Sequence, residues 1–237
     1  MRTIFLSDIH ANFPALAGAL GRAEKLGADR VYAAGDLIGR GPHPVETLRL
    51  LARSDIPAVR GNVEERLLKL RNDGVDFKRM FKKKGSRLAW TALKLGAEEW
   101  EYLSHLPRTL ALTVQGHRLL ILHGSPLSET DSIYPSITLV GLRAKMGTTV
   151  ADVLVCGHTH IPFTKSIGGV RLVGCGSVGL PVDGDPRGSM AVCDFAPDEG
   201  ARCRILRFSY PVEGLIADIG SRGAPGIDPA VFKIQGH

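Results

Sequence analysis

The chain has 237 residues, of which 44% are hydrophobic and 23% charged, and its formal net charge is +6. These proportions suit one globular domain spanning residues 1–237 and argue against a second full domain. No apolar stretch reaches the ~18 residues that a membrane-spanning helix needs, and no signal segment precedes the first strand. We therefore expect a cytoplasmic protein with no membrane partner.

Neither the positive charge nor the cysteines define a function. The densest basic stretch surrounds Lys82-Lys83-Lys84, and no nucleic-acid motif accompanies it. We interpret it as a solvated helical face, with steering of anionic phosphate substrates as the alternative, and we expect nucleic acid or nucleotide only as a substrate. The four cysteines lack C-x-x-C spacing, so we expect reduced packing residues; they are Cys156, Cys175, Cys193 and Cys203.

Strands and helices alternate in the first part of the chain. A strand over residues 3–7 leads to Asp8 and His10, and an amphipathic helix follows from Pro14 to Gly27. A strand over 31–35 leads to Asp36, a helix covers 44–54, and a strand over 56–61 leads to Asn62. The segment at about 64–106 lacks strand alternation, and we predict several helices over one side of a cleft.

Strands dominate the rest of the chain. Hairpins are predicted for 109–122 and 163–174, each with glycine in its turn, and two final strands for 189–195 and 202–210. His123 directly follows the first hairpin. The apolar run 152–156 stops at Gly157-His158-Thr159-His160. Periodicity alone supports a mixed α/β fold.

Potential metal ligands thus come directly after buried strands. They are Asp8, His10, Asp36, Asn62, His123, His158 and His160. Side chains distant in sequence can meet in the crevice at the carboxyl ends of parallel strands. Hard oxygen donors together with imidazoles suit a borderline divalent metal such as Mn, Fe, Zn or Co, and the ligands are too many for one ion.

This order of motifs resembles the calcineurin-like metallophosphoesterase superfamily, and within it the small bacterial phosphodiesterase-type members. The family pattern is D-x-H, G-D, G-N-H-[DE], H and G-H-x-H. The corresponding residues are Asp8-Ile9-His10, Gly35-Asp36, Gly61-Asn62-Val63-Glu64, His123-Gly124 and Gly157-His158-Thr159-His160. The resemblance implies a four-layer α/β/β/α sandwich of two mixed β-sheets flanked by helices.

The resemblance also implies two adjacent divalent ions. One would be held by Asp8, His10, Asp36 and His160, and the other by Asp36, Asn62, His123 and His158, with the Asp36 carboxylate bridging them. Mn or Fe is favoured, with Zn, Co or Ni as alternatives. Such a pair clamps the attacking and leaving oxygens at phosphorus and lowers the pKa of a shared water, so a metal-bridging hydroxide would be the nucleophile.

Two arginines flank these ligands. Arg40 and Arg60 match arginines that contact phosphate in the serine/threonine phosphatases of the superfamily, whose segments read G-D-x-x-D-R-G and R-G-N-H-E. A guanidinium fork suits the non-bridging phosphate oxygens. Gly39 stands where that pattern has Asp. The alternative is that both are surface loop arginines.

Val63 is the main departure from the family pattern. The superfamily usually has histidine there, which protonates the leaving oxygen, and valine has no proton to give. His43 is a candidate surrogate, with an exposed loop histidine as the alternative. Glu64 is expected to begin the following helix. His105, His117 and His237 match no motif and are interpreted as structural or solvated.

We therefore predict a binuclear metal-dependent phosphoesterase that acts on a small phosphodiester or an activated phosphomonoester. Arg40 and Arg60 suggest a protein Ser/Thr or diadenosine-polyphosphate phosphatase as the alternative. A non-catalytic interaction scaffold would show erosion of the ligands, which are all present. The oligomeric state is left open.

Overall fold

A computed structural model describes residues 1–197 and 199–225, so His237 and the end of the predicted domain lie outside the described residues. The elements, in chain order, are β1 (Arg2–Leu6), α1 (Phe13–Lys25), β2 (Arg30–Ala34), α2 (Pro44–Arg53), β3 (Ala58–Val59), α3 (Asn62–Asn72), α4 (Phe77–Lys84), α5 (Arg87–Lys94), α6 (Ala97–His105), β4 (Thr109–Val114), β5 (His117–Leu122), α7 (Leu139–Met146), β6 (Val153–Cys156), β7 (Pro162–Ile167), β8 (Val170–Cys175), β9 (Gly188–Asp194), β10 (Arg202–Phe208) and α8 (Val212–Ser221).

The strands form two five-stranded mixed sheets. The first sheet has the order β10-β9-β1-β2-β3, and the second has the order β4-β5-β6-β8-β7. Strands β1, β2 and β3 are parallel to one another, as are β5, β6 and β8. The carboxyl ends of the parallel strands, which precede the candidate ligands, therefore point in the same direction within each sheet.

Three hydrophobic clusters hold four layers together. Phe5 and Ile121 belong to a cluster built from both sheets, and this cluster fills the space between them. Leu16 belongs to a cluster between the first sheet and its helices, and Leu142 of α7 packs on the outer face of the second sheet. This arrangement confirms the predicted α/β/β/α sandwich.

Most predicted elements are found within a few residues of their expected bounds. The side chain of Asn12 caps α1 by accepting a hydrogen bond from the Ala15 N–H. The stretch predicted to be helical contains α3 to α6, and Phe77 stacks on Trp100 there. Neither α7 nor α8 is predicted from the sequence. In the described ranges, no helix combines the length and apolar character needed to cross a bilayer.

The expectation of four reduced cysteines is wrong for one pair. Cys193 on β9 and Cys203 on β10 are direct partners in the antiparallel register, with 4.1 Å between their Cα atoms, and they form a disulfide. Cross-strand pairing is set by register, which cysteine spacing does not reveal. Cys156 and Cys175 are free and buried.

Candidate metal centre

The candidate ligands sit on loops with unusual backbone conformations. Left-handed φ values of 53°, 52° and 50° occur at Asp8, His10 and Asp36, and values of 67° and 58° occur at His158 and His160. For residues other than glycine this conformation is costly, so it persists only where the surrounding structure enforces it. Such a concentration of strained residues is typical of a functional site.

Three side chains form what we call the first ligand group: Asp8, His10 and His160. The His160 Nε2 lies 3.1 Å from Asp8 Oδ1 and 3.1 Å from His10 Nε2. The ligand atoms of the three residues lie within 4.8 Å of one another. The structure therefore brings together the ligands assigned to the first ion.

A second ligand group consists of Asn62, His123 and His158. The Asn62 Oδ1 lies 3.1 Å from His123 Nε2 and 2.8 Å from His158 Nδ1. Asp36 lies between the groups, because its Oδ2 is 3.7 Å from His10 Nε2 and its Oδ1 is 3.5 Å from His123 Nε2. Each Asp36 oxygen thus faces a different group, as a bridging carboxylate would.

Backbone carbonyls orient two of the imidazoles. His123 Nδ1 lies 2.8 Å from the carbonyl oxygen of Ala34, and His160 Nδ1 lies 2.5 Å from that of Leu180. When each Nδ1–H donates to its carbonyl, the Nε2 lone pair faces the centre, and this is the tautomer that a metal ion requires.

Buried polar atoms indicate that the centre suits a cation. Asp8 is fully buried. Its Oδ2 accepts hydrogen bonds from Ser7 Oγ and the His158 N–H, whereas its Oδ1 faces the Nε2 atoms of His160, at 3.1 Å, and of His10, at 3.7 Å. Asp36 is only 3% exposed. A buried carboxylate is costly unless it is paired or binds a metal. The residues present therefore fit a divalent metal.

The charges of the metal-free site are strongly coupled. Burial opposes the ionisation of Asp8, but the nearby imidazoles of His160 and His123 hold the pKa of Asp8 below its usual value. Burial opposes the protonation of His160, but Asp8 raises the pKa of His160 to about 8. A metal ion would take over the role of that proton.

Arg40 lies at the edge of this centre. It stands between Gly39 and Gly41, and the Gly41 N–H donates a hydrogen bond of 2.5 Å to the His10 carbonyl. Arg40 itself is exposed. Burial lowers the pKa of His10, and the charges of His160 and Arg40 lower it further. Arg40 is therefore placed to meet an anion that approaches the ligands.

Arg60 has a different environment. Its Nη1 lies 3.1 Å from Glu65 Oε2 on α3, and Glu65 also pairs with Arg108. The Arg60 Nε–H is buried and donates no hydrogen bond to the described residues. A phosphate oxygen would thus compete with Glu65 for this guanidinium.

The structure does not bring His43 to the ligands. This residue is 3% exposed, and its Nε2 lies 2.8 Å from Asp218 Oδ2 on α8, while its ring lies against Phe13. The alternative of an exposed loop histidine is therefore wrong. Pairing with α8 could not be foreseen, because Asp218 is 175 residues away in sequence.

Two departures from the phosphatase pattern are in contact. A Cβ atom added to Gly39 would overlap Val63 Cγ1, and Gly39 has a φ of 108°. The Val63 N–H also donates a hydrogen bond of 2.9 Å to Asp36 Oδ1. Gly39 and Val63 therefore pack against each other beside the centre, and neither residue has an ionisable side chain.

Glu64 lies in the first turn of α3, as expected, but its main contacts are not foreseen from the sequence. It is fully buried, and its carboxylate accepts backbone hydrogen bonds from the loop that carries Asp36. Burial and the charge of Asp36 raise the pKa of Glu64 to about 7. The spacing of Gly61 and Glu64 was a signal for a helix cap, but nothing local indicated the second loop.

Comparisons with known proteins bear on the family and the fold. The family model described as calcineurin-like phosphoesterase superfamily domain matches residues 1–198. An uncharacterized protein of Methanocaldococcus jannaschii is 26% identical over 224 residues, which cover 88% of this chain and 87% of that protein. Phosphodiesterase YfcE of Escherichia coli K12 is 26% identical over 189 residues, covering 78% and 84%. The crystal structure of a metallophosphoesterase from Sphaerobacter thermophilus superposes with a TM-score of 0.79 at 26% identity, covering 99% and 98%.

Proposed function

The chain belongs to the calcineurin-like phosphoesterase superfamily, and on that premise we propose that it is a binuclear metal-dependent phosphoesterase that hydrolyses phosphodiesters or activated phosphomonoesters. One observation carries the proposal. The two oxygens of Asp36 face two separate groups of neutral and anionic ligands, 3.7 Å from His10 Nε2 and 3.5 Å from His123 Nε2.

The ligands divide naturally into two sets around Asp36. The first ligand group with Asp36 would hold one ion, and the second ligand group with Asp36 would hold the other. Two divalent ions in such a site supply a water of lowered pKa and neutralise the charge that develops on the phosphoryl oxygens. The mixed oxygen and imidazole donors favour Mn or Fe, with Zn, Co or Ni as alternatives.

The chain's own residues orient the substrate. Arg40, exposed beside His10, would bind a non-bridging phosphate oxygen, and Arg60 would exchange Glu65 for another. Val63 offers no proton to the leaving oxygen. Substrates whose leaving group is stable as an anion should therefore react best.

A second candidate is a Ser/Thr-type or diadenosine-polyphosphate phosphatase, and the position of Arg40 favours it. The Escherichia coli relative is named a phosphodiesterase, which supports diester hydrolysis instead. A non-catalytic scaffold fits less well, because a set of buried metal ligands would serve no purpose there.

An assay of metal-stripped protein tests the proposal. We expect turnover of bis(p-nitrophenyl) phosphate to return with Mn or Fe, and to a lesser extent with Zn, Co or Ni. A phosphoserine peptide and diadenosine tetraphosphate, assayed in parallel, separate the proposed activity from the two alternatives. Asp36→Asn protein is the negative control. Absence of turnover on all three substrates with every metal would contradict the proposal.

A further inference from the structure

We infer that Glu64 is a positioning residue that fixes Asp36 between the two ligand groups. This inference rests on the proposed function, because it assigns Asp36 the bridging position. It concerns a side chain whose two carboxylate oxygens both accept hydrogen bonds from backbone N–H groups. Glu64 would act through the backbone on either side of the ligands.

The carboxylate of Glu64 joins two loops that follow different strands. Its Oε2 accepts hydrogen bonds from the N–H groups of Asp36, at 3.0 Å, and Gly61, at 2.8 Å. Its Oε1 accepts from Leu37 at 2.9 Å and Ile38 at 3.1 Å. An ionised carboxylate has about four acceptor sites, so its full capacity is used on these two loops.

Water cannot replace the hydrogen bonds from Leu37 and Ile38. Leu37 and Ile38 are 0% exposed, so water does not reach the N–H groups that Glu64 accepts. Asp36 has a left-handed φ of 50°, which the backbone would leave if it were free to do so. Glu64 therefore restrains the Asp36 loop in its strained conformation from the N–H side, while the N–H groups of His10 and Ala11 donate to the carbonyls of Asp36 and Leu37.

The same turn of α3 also holds the Asp36 side chain. The Val63 N–H donates to Asp36 Oδ1 at 2.9 Å, while Asn62, at the start of this turn, belongs to the second ligand group. The first turn of α3 thus aligns the backbone and the carboxylate of Asp36 with Asn62. A shift of Glu64 should move ligands of both groups together.

The chain contains a matched residue that lacks this second contact. Glu99 occupies the same position in α6, where its Oε2 accepts from the Gly96 N–H at 2.9 Å, and it is 4% exposed. Its Oε1 pairs with the Arg49 side chain at 2.9 Å rather than with a ligand loop. Glu99 is therefore a buried cap with no link to the centre.

The test compares Glu64→Gln with Glu99→Gln. Glutamine keeps the size of the side chain but turns an NH₂ group towards backbone donors, so part of the network is lost in each variant. We expect Glu64→Gln to weaken Mn²⁺ binding, measured by calorimetry on metal-stripped protein, by about 10–100-fold. Its kcat should fall by a similar factor while KM changes less than about twofold. Glu99→Gln should lower Tm only.

The results separate the inference from the proposed function. If Glu64→Gln binds Mn²⁺ and turns over like the unmodified protein, Glu64 is only a cap and the inference is wrong. If Mn²⁺ binding weakens but the unmodified protein hydrolyses no phosphoester, the positioning role stands and the proposed function fails. Should Glu64→Gln not fold, Glu64→Asp keeps the charge and shortens the reach to Leu37 and Ile38. It should then show the same loss of Mn²⁺ affinity, and unchanged affinity would overturn the inference.

Discussion

The two sheets contribute different chemistry to the same centre. The first sheet ends in the carboxylates of Asp8 and Asp36, which are almost completely buried, together with His10 and Asn62. The second sheet contributes only imidazoles, from His123, His158 and His160. The first sheet therefore supplies the negative charge that attracts cations, and the second supplies imidazole donors that favour some divalent metals over others.

Each sheet also orients the ligands of the other. The Ala34 carbonyl at the end of β2 holds His123, which follows β5 in the second sheet. In return, the His158 N–H, after β6, donates to Asp8 Oδ2 at 3.0 Å. The centre is thus a property of the contact between the sheets, and neither sheet would hold a metal in this arrangement alone.

The largest expected effect comes from removing charge on the first sheet. Asp36→Asn should lose metal from both ligand groups and reduce turnover to background, because Asp36 faces both. Asn62→Ala should weaken mainly the second ligand group and retain about one equivalent of metal. Elemental analysis with turnover measurements checks both variants. Two equivalents of metal and normal turnover in Asp36→Asn would show that Asp36 does not bridge.

A smaller effect is expected from the arginines, which lie outside the ligand set. Arg60→Ala and Arg40→Ala should each lower kcat/KM. The loss should correspond to about 1.5–3 kcal/mol of transition-state stabilisation, the range for a hydrogen bond to a charged group. Metal content should not change, and inhibition by inorganic phosphate should weaken in parallel. Unchanged kinetics in both variants would show that neither arginine binds phosphate and that both are surface loop residues.

Val63 lies in the first turn of α3, next to the candidate ligand Asn62, and has no ionisable group. Rates on aryl phosphoesters should fall steeply as the leaving-group pKa rises. Val63→His should raise the rate on poor leaving groups by up to about 10²-fold, the lower end of general-acid catalysis. Val63→Thr, which is similar in shape and gives no such acid, is the control. A shallow dependence in the unmodified protein would show that another acid acts.

The smallest expected effect is the pH dependence of metal uptake by the imidazoles. The pKa of His160 is raised to about 8 in the metal-free site by Asp8, so His160 is largely protonated at pH 7. A metal ion must displace that proton. Affinity for Mn²⁺ should therefore increase by about fivefold from pH 7 to pH 8, because the deprotonated fraction of a group with a pKa of about 8 rises by that factor. Calorimetry in buffers of different ionisation enthalpy should detect proton release, and binding without it would contradict this assignment.

Local sequence was sufficient for most of the elements and for the choice of candidate ligands. Strand periodicity is local, and each ligand follows its strand directly, as Asp36 follows β2 and His123 follows β5. The parallel order of the strands then predicts one shared crevice. The family motifs added the expectation of two sheets, which the fold confirms.

The tertiary contacts decided the rest, because they join residues that are distant in sequence. The disulfide between Cys193 and Cys203 depends on strand register, and the pairing of His43 with Asp218 depends on where α8 packs. Glu64 has the spacing of an ordinary cap, and only the approach of the Asp36 loop gives it a second set of donors. Residue type and spacing specify which groups can bind, whereas the packing of two sheets specifies which backbone atoms hold them in place.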